Sequence, residues 1–231
     1  MSCLLAISPH LDDAVFSAGG TLAQRARQGW RVIVATCFAG NVARPAGFAL
    51  ACQLDKGLGP DVDYMALRRA EDIAACAAIG AEPLHLLFLE APHRGYASAA
   101  ALFGDVHAGE AVIEPLIATL RELVATEQPD VVFGPLAVGG HVDHRIVRTA
   151  VEALGLRQLM LWEDWPYVDR ASASVDGGTG SDLDKRDRAA KIAGALAYRS
   201  QVEFQFGSAA AMSHRLLAQR AERLHAVQPR R

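Results

Sequence analysis

The sequence predicts an α/β fold: a single Rossmann-like domain over residues 1–231, with a mostly parallel sheet in the order 3-2-1-4-5 and helices on both faces. Three observations lead there. Short runs rich in Val, Ile and Leu alternate with segments of helical periodicity, as in a parallel sheet whose strands are buried on both faces. The apolar fraction is 51%, enough for one packed core and too high for a disordered chain. No internal repeat and no linker-like stretch divides the 231 residues, so one domain is expected.

Cys3 to Ile7 is a continuous apolar run and reads as a first buried strand. Ser17 to Gln28 has good helix formers and stops at Gly29, a natural residue just past a helix end. Arg31 to Phe38 is β-branched and apolar, a second strand. Residues 40–62 carry Asn41, Pro45, Gly47, Gly57, Gly59 and Pro60 and predict a long loop, either functional or mobile. Met65 to Gly80 returns to helical spacing, with Leu67, Ala70, Ile73, Ala74 and Ala77 as its expected apolar face. Leu84 to Leu89 is a third strand, and residues 91–109 form a second irregular stretch.

Glu110 to Glu127 is the clearest amphipathic helix, its stripe made by Val112, Ile113, Leu116, Ile117, Leu120, Leu123 and Val124. Asp130 to Phe133 reads as strand four. A helix opening near His141 follows, with Ile146, Val147, Ala150, Val151 and Leu154 inward, and Leu159 to Trp162 is strand five. Residues 171–181 are small and polar and predict a flexible loop; helices are expected over about 182–200 and 208–226, and the tail from Gln228 is expected to fray.

The formal net charge is −3 and mixed along the chain, which points to neither nucleic acid nor a membrane surface as partner. A small-molecule substrate is expected, and a homo-oligomer is compatible with the composition. The four cysteines form no Cys-x-x-Cys pair and read as reduced thiols of a cytoplasmic protein. The first residues run into the first strand with no basic start and no cleavage site, so no signal peptide is expected.

Two clusters carry chemistry. Ser8-Pro9-His10-Leu11-Asp12-Asp13 follows strand one, and His141-Val142-Asp143-His144 follows strand four. In the expected order these strands are neighbours, and their carboxyl ends flank the switch point where open α/β sheets bind ligands. His10, Asp13 and His144 offer two imidazoles and a carboxylate, a set suited to Zn²⁺ with positions left for water and substrate. Such a metal acidifies water and polarises a carbonyl. Asp12 is then the candidate general base. A protonated His141 would stabilise an oxyanion or protonate a leaving amine, and Asp143 would orient one of the imidazoles. Taken singly, each cluster could be an ordinary turn or a helix start. The pair of clusters, each after the right strand, favours the metal site. His10 and Asp12 with His144 also match the two-His-one-carboxylate set of Fe(II) oxygenases, but the strong helical periodicity argues against their all-β scaffolds.

No Gly-rich dinucleotide loop, Walker loop or nucleophile elbow is present. His85, within a strand, reads as a core or edge residue; His214 and His225 read as solvated on the late helix. Trp162, Trp165 and Tyr167 could stack on a sugar ring or pack in the core.

Pro9-His10-Leu11-Asp12-Asp13 and His141-Val142-Asp143-His144 resemble the Pro-His-x-Asp-Asp and His-x-Asp-His motifs of the PIG-L/LmbE family of metal-dependent N-acetylglucosaminyl deacetylases. Arg69-Ala70-Glu71-Asp72 resembles that family's Arg-x-Glu helix, and Lys191, Tyr198, Ser200 and Gln201 resemble its C-terminal segment. The resemblance implies a zinc-dependent deacetylase, with Fe²⁺ as the other metal. It implies His10, Asp13 and His144 as ligands, Asp12 as base, and His141 with Asp143 behind it as oxyanion stabiliser or acid. Arg69 would reach a substrate hydroxyl or phosphate, or else pair with Glu71 or Asp72. Arg94, Trp165 and Tyr167 are the further expected substrate contacts, with the 40–62 and 91–109 loops lining the cleft. Ala14 replaces the acidic residue common after the Asp pair, and Glu90-Ala91-Pro92-His93-Arg94 replaces an Asp-Ala-x-Tyr-Arg segment of some members. The Gly139–His144 and Asp164–Tyr167 stretches resemble a branch found with natural-product pathways, which extends the substrate range to a non-sugar amide.

Overall fold

The computed structural model describes residues 1–170, 177–219 and 221–227. The order of elements is β1 (Cys3–Ser8), α1 (Asp13–Arg27), β2 (Arg31–Thr36), α2 (Gly47–Leu54), α3 (Tyr64–Ile79), β3 (Glu82–His85) and a 3-10 turn (Ala91–Arg94). There follow α4 (Ala99–Leu102), α5 (Ile113–Glu127), β4 (Val131–Pro135), α6 (Val142–Glu152), β5 (Leu159–Trp162) and a second 3-10 turn (Tyr167–Arg170). The chain closes with β6 (Thr179–Asp182), α7 (Lys185–Ala197), α8 (Arg199–Phe206), α9 (Ala209–Ala218) and β7 (Ala221–Val227).

The sheet order is β3-β2-β1-β4-β5-β7-β6. The predicted 3-2-1-4-5 core is all parallel, and two antiparallel strands extend it beyond β5. Period-two alternation explains why β1 is apolar throughout. Leu4 and Ala6 join one core with Phe16, Leu22, Ala75, Ala195 and Tyr198 from α1, α3 and the α7–α8 junction. Leu5 and Ile7 join the other with Leu116, Leu120, Ile146 and Ala150 from α5 and α6. Helices therefore cover both faces.

Several expectations are corrected. Residues 221–227 form β7, not the end of a helix. Ala, Glu, Arg and Leu favour a helix, but Glu222 and Leu224 turn inward at strand spacing while Arg223 stays exposed. His225 thus lies on a strand, its Nε2 3.0 Å from Glu163. The third strand lies upstream of its expected place, at Glu82–His85, an edge position that tolerates Pro83. The 40–62 loop contains α2. Of the 171–181 loop, residues 171–176 lie outside the described residues, as does the tail from Gln228, while Thr179–Asp182 is strand β6. On α3, Ala70, Ile73, Ala74 and Ala77 are not on the buried face, which is Met65, Arg68, Asp72, Ala75, Cys76 and Ile79.

That face buries charge because each charge is partnered. Asp72 accepts from the Tyr198 hydroxyl at 2.6 Å and lies 2.8 Å from His85 Nε2. Beside it, Glu71 accepts from the Ser200 amide and hydroxyl, and Gln201 Nε2 donates to the Tyr64 hydroxyl at 3.1 Å. Lys191, 1% exposed, holds Glu222 at 2.7 Å, and Glu222 accepts the amides of Gly20 and Thr21. These bonds fasten α7, α8 and β7 to α1 and α3. Cys3, Cys37 and Cys76 are buried free thiols and Cys52 is a partly exposed one. Among the described residues, no helix is long and apolar enough to cross a membrane.

Beyond β2, the Gly40 amide donates to Phe88 O at 2.9 Å. A Cβ there would lie 2.4 Å from the backbone oxygen of Leu87, whereas at Gly59 it would meet nothing within 4 Å. Gly40→Ala is expected to destabilise by about 1–3 kcal/mol in urea unfolding, with Gly59→Ala within about 0.5 kcal/mol of the parent. Equal midpoints for the two variants would show that the Gly40 contact is not tight.

Candidate metal centre and cleft

The loop after β1 is built by its own polar atoms. Ser8 Oγ donates to His10 O at 2.7 Å and accepts from the Ala14 amide at 3.1 Å. Asp13 Oδ2 accepts from the His10 amide at 2.9 Å, and the carboxylate sits in the first turn of α1, where the helix dipole favours it. The loop after β4 turns at Gly139, whose φ is +87° and whose Cβ would strike the Tyr167 side chain at 2.8 Å; both conditions demand glycine. That turn delivers His141 to the start of α6.

Because β1 pairs with β4, the two loops meet. Asp13 Oδ2 lies 3.2 Å from His10 Nδ1 and 3.2 Å from His144 Nε2. His10, Asp13 and His144 present ligand atoms that all lie within 4.8 Å of one another. The opposite nitrogen of each imidazole is held by a carboxylate: His10 Nε2 by Asp143 at 2.9 Å, His144 Nδ1 by Asp164 at 2.7 Å. Carboxylate–histidine pairs of this kind orient metal-binding imidazoles. His144 Nε2 is fully buried and faces Asp13 Oδ2 at 3.2 Å without a hydrogen bond of good geometry, an arrangement that a cation between the two atoms would satisfy. The donor set therefore fits a divalent metal such as Zn²⁺. His10, His141 and Asp143 also cluster, but Asp143 is already engaged by His10, the Ala91 amide at 3.0 Å and Arg94 at 2.6 Å.

The electrostatics follow from burial and these pairs. For His10, burial lowers the pKa, but Asp13 and Asp143 outweigh it and lift it to about 9. His144 is likewise raised, against burial, by Asp13 and Asp164. Asp13 and Asp143 are held below the usual carboxylate range, since their imidazole partners prevail over burial. Burial pushes Asp12 up to about 7, against the pull of Arg68. Burial, and then His10, push His141 down to about 3.

That direction favours a neutral ring over the protonated one expected, and Nδ1 accepts the Asp143 amide at 3.2 Å, which leaves Nε2 as the ring's donor. Asp143 supports His10 with its carboxylate and donates to His141 through its backbone amide.

A cleft of about 300 Å³ opens over the cluster, with His10, Asp12, Asp13 and His141 among its walls. Phe48 comes from the 40–62 loop, Leu102 and Phe103 from the 91–109 stretch, Tyr167 from the turn after β5, and Phe204 from α8. Phe103 stands edge-on to His141 at 5.3 Å, and the Tyr167 ring is edge-on to His144 at 5.3 Å.

The other expected substrate contacts are placed elsewhere. Arg69 donates to Ala39 O at 2.7 Å, and its neighbour Arg68 lines the cleft instead. Arg94 lies behind the metal cluster, bound to Asp143 and Glu110 and stacked over Phe38. Trp165 is 2% exposed, stacked on Phe206 and edge-on to Phe16, and Trp162 is fully buried.

Sequence reasoning missed Asp164, Arg68, Phe204 and Gln205. Asp164 lies just beyond β5, next to β4 in the sheet, so the strand-end logic that found both His clusters could have found it. Arg68 donates to Leu11 O at 2.9 Å and pairs with Glu90 at 2.8 Å and Asp12 at 3.3 Å. Its i, i+4 relation to Asp72 is the signal that a charged face is buried.

The family described as GlcNAc-PI de-N-acetylase (PIG-L) matches residues 5–154. A 2'-N-acetylparomamine deacetylase of Streptomyces fradiae is 31% identical over 173 residues, 73% of this chain and 59% of that one. The chain spans little more than half the length of the curated relatives it matches. Among solved structures, a deacetylase triple mutant of the teicoplanin biosynthetic pathway superposes with a TM-score of 0.84 at 29% identity, over 97% of each chain. The zinc-inhibited form of teicoplanin deacetylase Orf2 gives 0.84 at 27%, over 98% of this chain and 99% of that one.

Asp164→Asn is expected to weaken Zn²⁺ binding roughly 10- to 100-fold, measured by competition with a chromogenic chelator. An unchanged affinity would mean that the His144–Asp164 pair does not serve a cation.

Proposed function

The chain belongs to the PIG-L family, and on that premise we propose that it is a divalent-metal-dependent N-deacetylase that hydrolyses the acetamido group of an amino sugar. The observation that carries this reading is the convergence of His10 Nδ1, Asp13 Oδ2 and His144 Nε2, with Asp12 beside them in the cleft.

His10, Asp13 and His144 would hold the cation, which would supply Lewis acidity to acidify water and polarise the amide carbonyl. Asp143 and Asp164 fix the two imidazoles so that their ligand nitrogens face inward. Asp12 accepts the proton of the attacking water, and its burial keeps the proton available for the departing amine. His141, neutral and protonated on Nε2, donates a hydrogen bond to the carbonyl oxygen as negative charge gathers there. The products are acetate and the free amine.

Phe48, Leu102, Phe103 and Phe204 make one side of the cleft apolar, with Phe103 49% and Phe204 57% exposed. Such a wall fits a sugar carried on a large apolar body better than a free monosaccharide. This favours an N-acetylated sugar of a natural-product conjugate. Teicoplanin deacetylase is known in a form described as zinc-inhibited, so Zn²⁺ and Fe²⁺ are to be compared as activators.

Acetate release is expected from an aryl N-acetylglucosaminide, lost on chelation and restored by added metal. Asp12→Asn is expected to retain the metal and lose roughly 10²–10⁴-fold in kcat. Normal turnover by that variant would remove Asp12 from its role, and metal-independent turnover would remove the cation from the reaction.

A further inference from the structure

We propose that Gln205, on α8, is a positioning residue that sets the orientation of the Asp12 carboxylate. The inference rests on the reading of Asp12 as general base and concerns a part of the chain outside the 5–154 family match.

Asp12 is 4% exposed, so its rotamer is decided by protein donors and not by water. One donor and one cation meet at one of its oxygens. Gln205 Nε2 donates to Oδ2 at 3.2 Å, and the Arg68 guanidinium lies 3.3 Å from the same atom. With Oδ2 engaged twice, Oδ1 is the oxygen left for a water proton, and a base delivers its full effect only when that atom is held in line.

Arg68 alone would leave the carboxylate with less restraint, because the same guanidinium also serves Glu90 and Leu11 O. Gln205 reaches Asp12 from another element across 193 residues of sequence. Its helix is fixed at the other end, where Ser200 binds Glu71 and Gln201 binds Tyr64. The neighbouring Phe204 projects at the cleft mouth, with Lys56 Nζ 4.7 Å from its ring centroid. One short helix thus carries both the amide that holds the base and an aromatic placed where substrate enters.

The test compares wild type, Asp12→Asn, Gln205→Leu, Gln205→Glu and the Asp12→Asn/Gln205→Leu double variant, with acetate release from an aryl N-acetylglucosaminide and bound metal measured for each. Gln205→Leu is expected to lower kcat roughly 10- to 100-fold with KM within about twofold and metal content unchanged. Gln205→Glu keeps the size of the side chain, cannot donate, and sets a carboxylate against Asp12; it is expected to lose at least as much kcat, and it stands in if the Leu variant fails to fold. In the Asp12→Asn background, Gln205→Leu is expected to cost no more than about twofold further, since groups that act as a unit are not additive. Wild-type kcat in both single variants, a change confined to KM, loss of metal, or a full additive loss in the double variant would overturn the proposal. If Asp12→Asn itself turns over normally, the base assignment fails and the positioning role with it; if Asp12→Asn is inactive and the Gln205 variants are normal, the role of Gln205 alone fails.

Discussion

The parallel pairing of β1 with β4 is the contact on which the rest depends. It brings two loops separated by about 130 residues of sequence to one point at the carboxyl end of the sheet. There Asp13 Oδ2 lies between His10 Nδ1 and His144 Nε2. Grouping buried ionisable side chains in this way is costly unless each is paired. The structure provides that pairing in layers. Asp143 and Asp164 stand behind the imidazoles, and Arg94 with the Ala91 amide stands behind Asp143. The layers stop at His144 Nε2, which faces Asp13 Oδ2 at 3.2 Å.

Two parts of the chain divide the work. The first 154 residues contain both metal loops, the candidate base and the family match. The remainder contributes Asp164 behind His144, Tyr167 on the cleft wall, and α8 with Phe204 and Gln205. The bonds of Tyr198, Ser200 and Gln201 to α3 hold α8 over the cleft. The candidate metal cluster sits on loops after central strands, and the cleft walls come from α2, the 91–109 stretch and α8.

The central strands and the convergence of the two His/Asp clusters were legible because each left a local signal. Continuous apolar runs marked β1, β2, β4 and β5, and the two His/Asp clusters followed the strands that the topology makes neighbours. What failed did so for physical reasons. The buried face of α3 carries Arg68 and Asp72, so hydrophobicity selected the wrong face and with it Arg69 in place of Arg68. The last strand is made of residues that favour helices, and antiparallel pairing with β5 overrides that preference. Trp165 packs in the core, against Phe16 and Phe206, which no local pattern encodes. The downward push on the His141 pKa comes from burial beside other imidazoles, a property of the assembled site. Gln205 has no motif at all, since its place beside Asp12 arises from where α8 lands.

The most direct measurement is anomalous diffraction at the metal edge from crystals grown with Zn²⁺ or Fe²⁺. One strong peak is expected, bonded to His10 Nδ1, Asp13 and His144 Nε2, with Asp143 and Asp164 still on the far nitrogens. Full occupancy at some other group of side chains, with His10 and His144 left unbound, would contradict the assignment of this cluster as the metal centre.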